Sequence, residues 1–430
     1  MSRWGLTIPQ FAATDRAKAA RRQLLTDAKD SAVVQLLIGD AIGDVFGFGI
    51  EMQDASWIRQ NVTRFDAWPD NPVLVEAFKV NNVRGFYSDD CEMTVGLMKA
   101  LVSDGVALDK DKMLEAWRME FELAKKRPPP AVPGGERQGH GSVKHVWRGK
   151  FTIESARERQ ARMEDPGNAP PMRALPLGFV ESDVERERLC VANADSTHPH
   201  PRARAASLLV ASACRHLVVK REPAARVLAA ALGELERSGL RDEPTLAHLR
   251  ALAALPDYHE YGERLEGMPP EVHALLCGPQ PCPHTLTLPV GGPGDFAKGR
   301  RMHGIYSDAM RTAGVVLYLL SHQRGPLDVL RASVDLGGDV DSVAALCLGL
   351  VGGSQGLRFG EAGGLPWALL EELEGVEYLV SSARGFEAWA HAEADKGRGV
   401  GMARSALVLA AVAALVAVGV AMATTHLRPS

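Results

Sequence analysis

Apolar residues recur every three to four positions along most of the chain, the spacing that lays a continuous stripe down one face of an α-helix. The stripe is clear over residues 28–42, 92–102, 113–123, 202–219, 224–235, 307–321 and 343–352, and each stretch predicts a helix. Alternation with a period of two is scarce, and Thr285-Leu286-Thr287-Leu288 is a modest strand candidate. Gly and Pro cluster at 127–135, 165–171, 197–201 and 278–294, which places loops there. No repeat of solenoid spacing and no heptad run interrupts this pattern. It predicts an all-α domain over residues 26–387, after an N-terminal extension of residues 1–25 and before a linker of residues 388–405.

One segment departs from the soluble pattern. Residues 406–423 form an uncharged apolar run of 18 residues, close to the minimum that spans hydrocarbon. Arg398 and Arg404 precede it, so a C-terminal transmembrane tail anchor with the globular part on the positive, cytoplasmic side is expected. An Ala/Val-rich helix packed on the domain or on a partner is the alternative.

Composition narrows the class. The 430 residues are 46% hydrophobic and 24% charged, enough to bury a large core. A net charge of −4 with both signs interspersed gives no electrostatic case for a nucleic-acid partner. The six cysteines lie far apart, and the N-terminus lacks an apolar secretory stretch, which fits reduced thiols in a cytoplasmic compartment. Cys277, Cys282 and His284 are close, but not at a zinc-binding spacing.

Two short acidic clusters carry the chemistry. Ser88-Asp89-Asp90 precedes one apolar-periodic helix, and Asp339-Val340-Asp341-Ser342, after Gly337-Gly338, opens another. Ser and Asp are favoured helix N-caps, so capping explains either cluster alone. Together they supply four carboxylates and two hydroxyls without Cys or His, the ligand set of hard divalent cations. Two Mg²⁺ or Mn²⁺ ions would offset the mutual repulsion and support water activation. Asp339 and Asp341, two apart, would diverge in a regular helix but converge in an extended loop. A third element, Gly43-Asp44-Val45-Phe46-Gly47-Phe48-Gly49-Ile50-Glu51, suits either close approach of backbone to a ligand or a glycine-rich helix crossing with a capping Asp.

In this order and separation, the elements resemble the ADP-ribosylglycohydrolase family, which includes dinitrogenase-reductase-activating glycohydrolases and the ADP-ribosylarginine and ADP-ribosylserine hydrolases. Gly43, Asp44, Gly47 and Glu51 match its first pattern. Tyr87, Ser88, Asp89, Asp90, Met93 and Thr94 match the second, with Cys91 in place of the usual Thr. Residues 167–178 resemble the middle pattern, with Ala169 where a glycine is usual and Pro170 and Pro171 intruding. Thr197-His198 follows, and the final Gly-Gly-Asp-[Thr/Val]-Asp-[Ser/Thr] is complete at Gly337 to Ser342.

The resemblance implies an orthogonal helical bundle with two Mg²⁺ or Mn²⁺ ions in a cleft. Ser88, Asp89 and Asp90 would ligate from one side, and Asp339, Asp341 and Ser342 from the other. Asp90, Glu51 and Asp341 are the catalytic candidates. Asn168, Met172 and His198 would line an ADP-ribose pocket, with Gly141 and Ser142 in a Gly-rich loop at the diphosphate that also includes Gly139 and His140. The expected reaction is hydrolysis of an ADP-ribosylated protein or a small O-acyl-ADP-ribose conjugate, releasing ADP-ribose, by a monomer. Three other readings stand beside it: a catalytically impaired ADP-ribose-binding module recruiting a partner at a membrane, a structural relative, and a two-metal phosphatase or nuclease. Arg84 and Arg173 are the cations near the clusters that a phosphate-gripping site would use.

Overall fold

Two helices cross backbone to backbone in the interior. The first, Ala32–Phe48, starts at Ser31, whose hydroxyl accepts from the Val34 amide at 3.2 Å. The second, Val340–Gln355, follows Asp339. Each is apolar around nearly its whole circumference and is buried through the crossing. Glycines make the approach possible. A β-carbon on Gly39, Gly43 or Gly47 would stand 2.4 Å from the Leu348 carbonyl oxygen, 2.1 Å from that of Ala344, or 2.3 Å from the Asp341 Cα.

The computed structural model describes residues 14–69, 85–124, 141–282 and 302–395. Around the central pair pack the helices Asp89–Asp104, Pro201–Cys214, Ala309–His322 and Pro326–Asp335. Helix Lys110–Ala124 covers Asp89–Asp104, and the Trp117 indole N–H donates to the Met93 carbonyl at 2.9 Å. The periodic stretch 202–219 is an α-helix to Cys214 followed by one π-helical turn, Arg215–Val219. The described residues contain no strand, and their β-bridges are isolated ones that join Gly338 to Gln53 and to Ile305. The fold is all-α, as the periodicity predicts.

Both ends of the domain differ in detail from the expected boundaries. Residues 15–27, read from the sequence largely as extension, form a helix whose Arg21 donates to the Glu371 and Leu373 carbonyls at 2.9 and 2.6 Å. Residues 376–395 are helical, running past 387 because Phe386 and Ala390 are buried and Trp389 packs on Phe386 at 5.2 Å. The strand candidate at 285–288 and the apolar run 406–423 lie outside the described residues. Among the described residues, no helix is long and apolar enough to cross a membrane.

Candidate metal and ligand site

The helix crossing creates the site. Because Gly47 rests on Asp341, the chain leaving the first helix carries Glu51 over the start of the second. One carboxylate oxygen each from Glu51, Asp339 and Asp341 lies within 4.8 Å of the others. Asp339 occupies the N-cap in a non-helical conformation (φ −81°, ψ 69°), while Asp341 sits inside the first turn. The expected extended loop is thus a helix start, and the backbone break at Asp339 makes the two carboxylates converge. Asp339 also makes no capping hydrogen bond; one of its oxygens accepts from Asn168 Nδ2 at 2.9 Å.

Gly337 and Gly338 hold that start in place with left-handed φ of 73° and 81°. The Gly338 N–H donates to the Gln53 carbonyl at 2.9 Å, and its carbonyl accepts from Met52 at 2.7 Å. Ile305 and Gly304 close from the other side, where a β-carbon on Gly338 would stand 2.3 Å from the Ile305 amide nitrogen.

The second cluster forms around a buried acid. Asp44 accepts the Ser88 N–H at 2.8 and 2.9 Å and the Cys91 N–H at 3.0 Å. It therefore caps the Asp89–Asp104 helix from a neighbouring helix, while the Ser88 hydroxyl approaches the Asp90 amide only at 3.5 Å. Asp40, one turn earlier and also fully buried, meets the Cys91 side chain.

The electrostatics suit cations. Burial first, then Asp339, Asp89 and Asp44, pushes Glu51 up to about 8. Burial raises Asp44 to about 7 against the lowering effect of the Cys91 and Ser88 amides. Asp90 and Asp341 are held well above the usual carboxylate range by burial and by neighbouring carboxylates. Like charges in a buried site favour protonation unless a positive charge enters. An all-oxygen donor set of this kind fits hard divalent ions.

Both clusters open onto one cavity of about 300 Å³. Glu51, Ser88, Asp89, Asp90, Asp339, Asp341 and Ser342 line it together with Asn168, Met172, Thr197 and His198. Gly141 and Ser142 open the helix Gly141–Trp147, whose Val143 reaches the cavity; Gly139 and His140 lie outside the described residues. Phe48, Ile153 and Gln160 also line the cavity. No motif marks the last two, because they come from a helix with an ordinary surface pattern.

Arg173 lines the cavity but is fully engaged below it. Its Nε donates to Asn193 Oδ1 at 2.8 Å, and Nη2 reaches Ser196 Oγ at 3.0 Å and Thr197 Oγ1 at 2.8 Å. Its guanidinium lies 3.7 Å from the Trp117 ring centre. It is a structural cation here, and Arg84 lies outside the described residues.

Residues 25–397 match the family described as ADP-ribosylglycohydrolase. The chain belongs to that family, one of metal-dependent hydrolases acting on ADP-ribose conjugates. A solved structure titled "ADP-ribosylglycohydrolase-related protein complex" aligns at 17% identity over 85% of this chain and 99% of its own, with a TM-score of 0.44. No curated protein matches.

Proposed function

We propose that this chain is a dinuclear, Mg²⁺- or Mn²⁺-dependent hydrolase that cleaves the glycosidic bond of an ADP-ribosylated protein or an O-acyl-ADP-ribose and releases ADP-ribose. The observation that carries this reading is Asp339. It stands where a helix cap belongs, yet its side chain leaves capping undone and meets Glu51 and Asp341 in the cavity instead.

Ser88, Asp89 and Asp90 would hold the ions from one side and Asp339, Asp341 and Ser342 from the other. Such ions supply Lewis acidity and lower the pKa of water. Asn168 keeps Asp339 oriented through its 2.9 Å hydrogen bond. Glu51 is the cavity-facing carboxylate whose raised pKa suits proton exchange with water or leaving group, and Asp90 and Asp341 are the other acid/base candidates. Met172 and Phe48 give the cavity apolar wall for the ligand's rings.

The test is purified protein assayed with Mg²⁺ or Mn²⁺ against ADP-ribosyl-arginine, ADP-ribosyl-serine and O-acetyl-ADP-ribose. Release of ADP-ribose from at least one is expected. Tight ADP-ribose binding with no release from any would instead support the binding-module reading, which the Ala169-Pro170-Pro171 segment beside Asn168 favours. We further propose that residues 406–423 tether the domain of residues 26–387, as a monomer, to the cytoplasmic face of a membrane. Recovery of the full-length chain in the carbonate-washed membrane fraction is expected, and recovery in the supernatant would refute the tether.

A further inference from the structure

Beneath the cavity, Arg173 donates through Nη2 to the Thr197 hydroxyl at 2.8 Å, and that hydroxyl lies 2.7 Å from His198 Nδ1. Arg173, Thr197 and His198 are all buried. A hydroxyl has one proton to give. The Thr197 oxygen already accepts from a cation, and His198 Nδ1 is the acceptor within reach. Placing the proton there satisfies the hydroxyl. The opposite arrangement, Nδ1–H donating to Thr197, leaves a buried O–H without an acceptor, which is unfavourable.

We infer that Arg173 and Thr197 are positioning residues that lock His198, which the resemblance already places in the ADP-ribose pocket, as its neutral Nε2–H tautomer, so that the ring edge facing the cavity is a donor and not an acceptor. Three further observations agree. Nε2 makes no hydrogen bond to a described residue, although His198 lines the cavity. Gly167 leaves the ring its place, since a β-carbon there would stand 2.8 Å from Nε2. Burial, and then the Arg173 charge, lower the imidazole pKa to about 3, so the ring stays uncharged. His198 is therefore a positioning and specificity residue rather than a proton-transfer group. Arg173 sets its orientation instead of gripping a phosphate itself.

The ligand named here rests on the proposed function, but the tautomer does not, and the test separates them. Long-range ¹H–¹⁵N correlation spectra of the ¹⁵N-histidine-labelled full-length protein would locate His198 among the 13 histidines by its loss in H198F. A protonated Nε2, an unprotonated Nδ1 and no titration between pH 5.5 and 8 are expected. An Nδ1–H tautomer, or titration near pH 6.5, overturns the lock. In T197V the single-tautomer signature should be lost, and ADP-ribose should dissociate about tenfold more readily. In H198F the loss should reach about ten- to a hundredfold with Mn²⁺ affinity unchanged, and H198Q, which keeps an N–H donor, should recover part of it. Wild-type affinity for ADP-ribose in folded H198F overturns the donor role. Wild-type protein that binds no ADP-ribose defeats the functional reading and the assigned ligand, while the spectra still decide the tautomer.

Discussion

Gly47 and Asp341 touch backbone to backbone, with 2.3 Å between the position a Gly47 β-carbon would take and the Asp341 Cα. That contact joins the first motif to the last. It places Glu51 beside Asp339 and Asp341 and makes the carboxylate cluster proposed to hold metal a product of helix packing. Gly47→Ala should therefore force the two helices apart. Overpacking of this kind costs about 1–3 kcal/mol, and Mn²⁺ affinity should fall with it. Denaturant unfolding and metal titration of the same preparation check this; a variant with wild-type metal affinity would show that the crossing does not set the site.

Asp44 acts through the backbone of the other cluster. Asn in its place keeps the shape but turns an N–H-bearing group toward the Ser88 or Cys91 amide, where two donors then face each other. Loss of an orienting partner of metal ligands typically costs ten- to a hundredfold in affinity, and Asp44→Asn should lose Mn²⁺ binding on that scale while its circular dichroism stays helical. Unchanged binding by isothermal titration would remove Asp44 from the site's architecture.

Asp341 faces four other acids across the cavity, and the folded protein holds its carboxyl well above the usual range through burial and then Glu51, Asp339 and Asp90. Asp341→Asn removes one repelling charge, so the metal-free variant should be no less stable than wild type. It should lose turnover and metal binding together. Ions at a hundredfold excess over Kd stabilise a protein by about 2.7 kcal/mol; wild type should show a melting shift of that origin, reversed by chelator, and the variant none. Full activity in Asp341→Asn would sink the metal mechanism.

His248 offers a stability measurement away from the ligands. Burial, then Arg311 and Arg202, lower its pKa to about 3, and its Nδ1 accepts from Arg311 at 3.2 Å. The unfolded chain binds a proton near pH 6.5, whereas the folded chain does not until about pH 3. Stability from the neutral ring is thus fully present above pH 6.5 and lost on acidification, by up to about 1.4 kcal/mol per pH unit for this one group. His248→Gln, which can still accept from Arg311 and does not titrate, should flatten the decline between pH 6.5 and 4.5. Parallel curves for wild type and variant would mean that His248 is protonated in the folded state.

The sequence by itself determined the class of fold and the family to which the chain belongs. Three-to-four periodicity depends only on which residues must leave water, so the helices at 28–42, 92–102 and 343–352 were legible without any partner. An all-oxygen donor set without Cys or His limits any bound metal to hard cations, because ligand hardness belongs to the residue type. Tertiary structure alone decided where the acidic side chains meet. Spacing could not separate Asp339 as a cap from Asp339 turned toward Glu51 and Asp341, since the difference is one torsion at a helix start held by Gly338 between Gln53 and Ile305. Nor could it assign Asp44 or Arg173. A carboxylate capping a distant helix and a guanidinium held among Asn193, Ser196 and Thr197 are defined by neighbours far along the chain, and only packing chooses those.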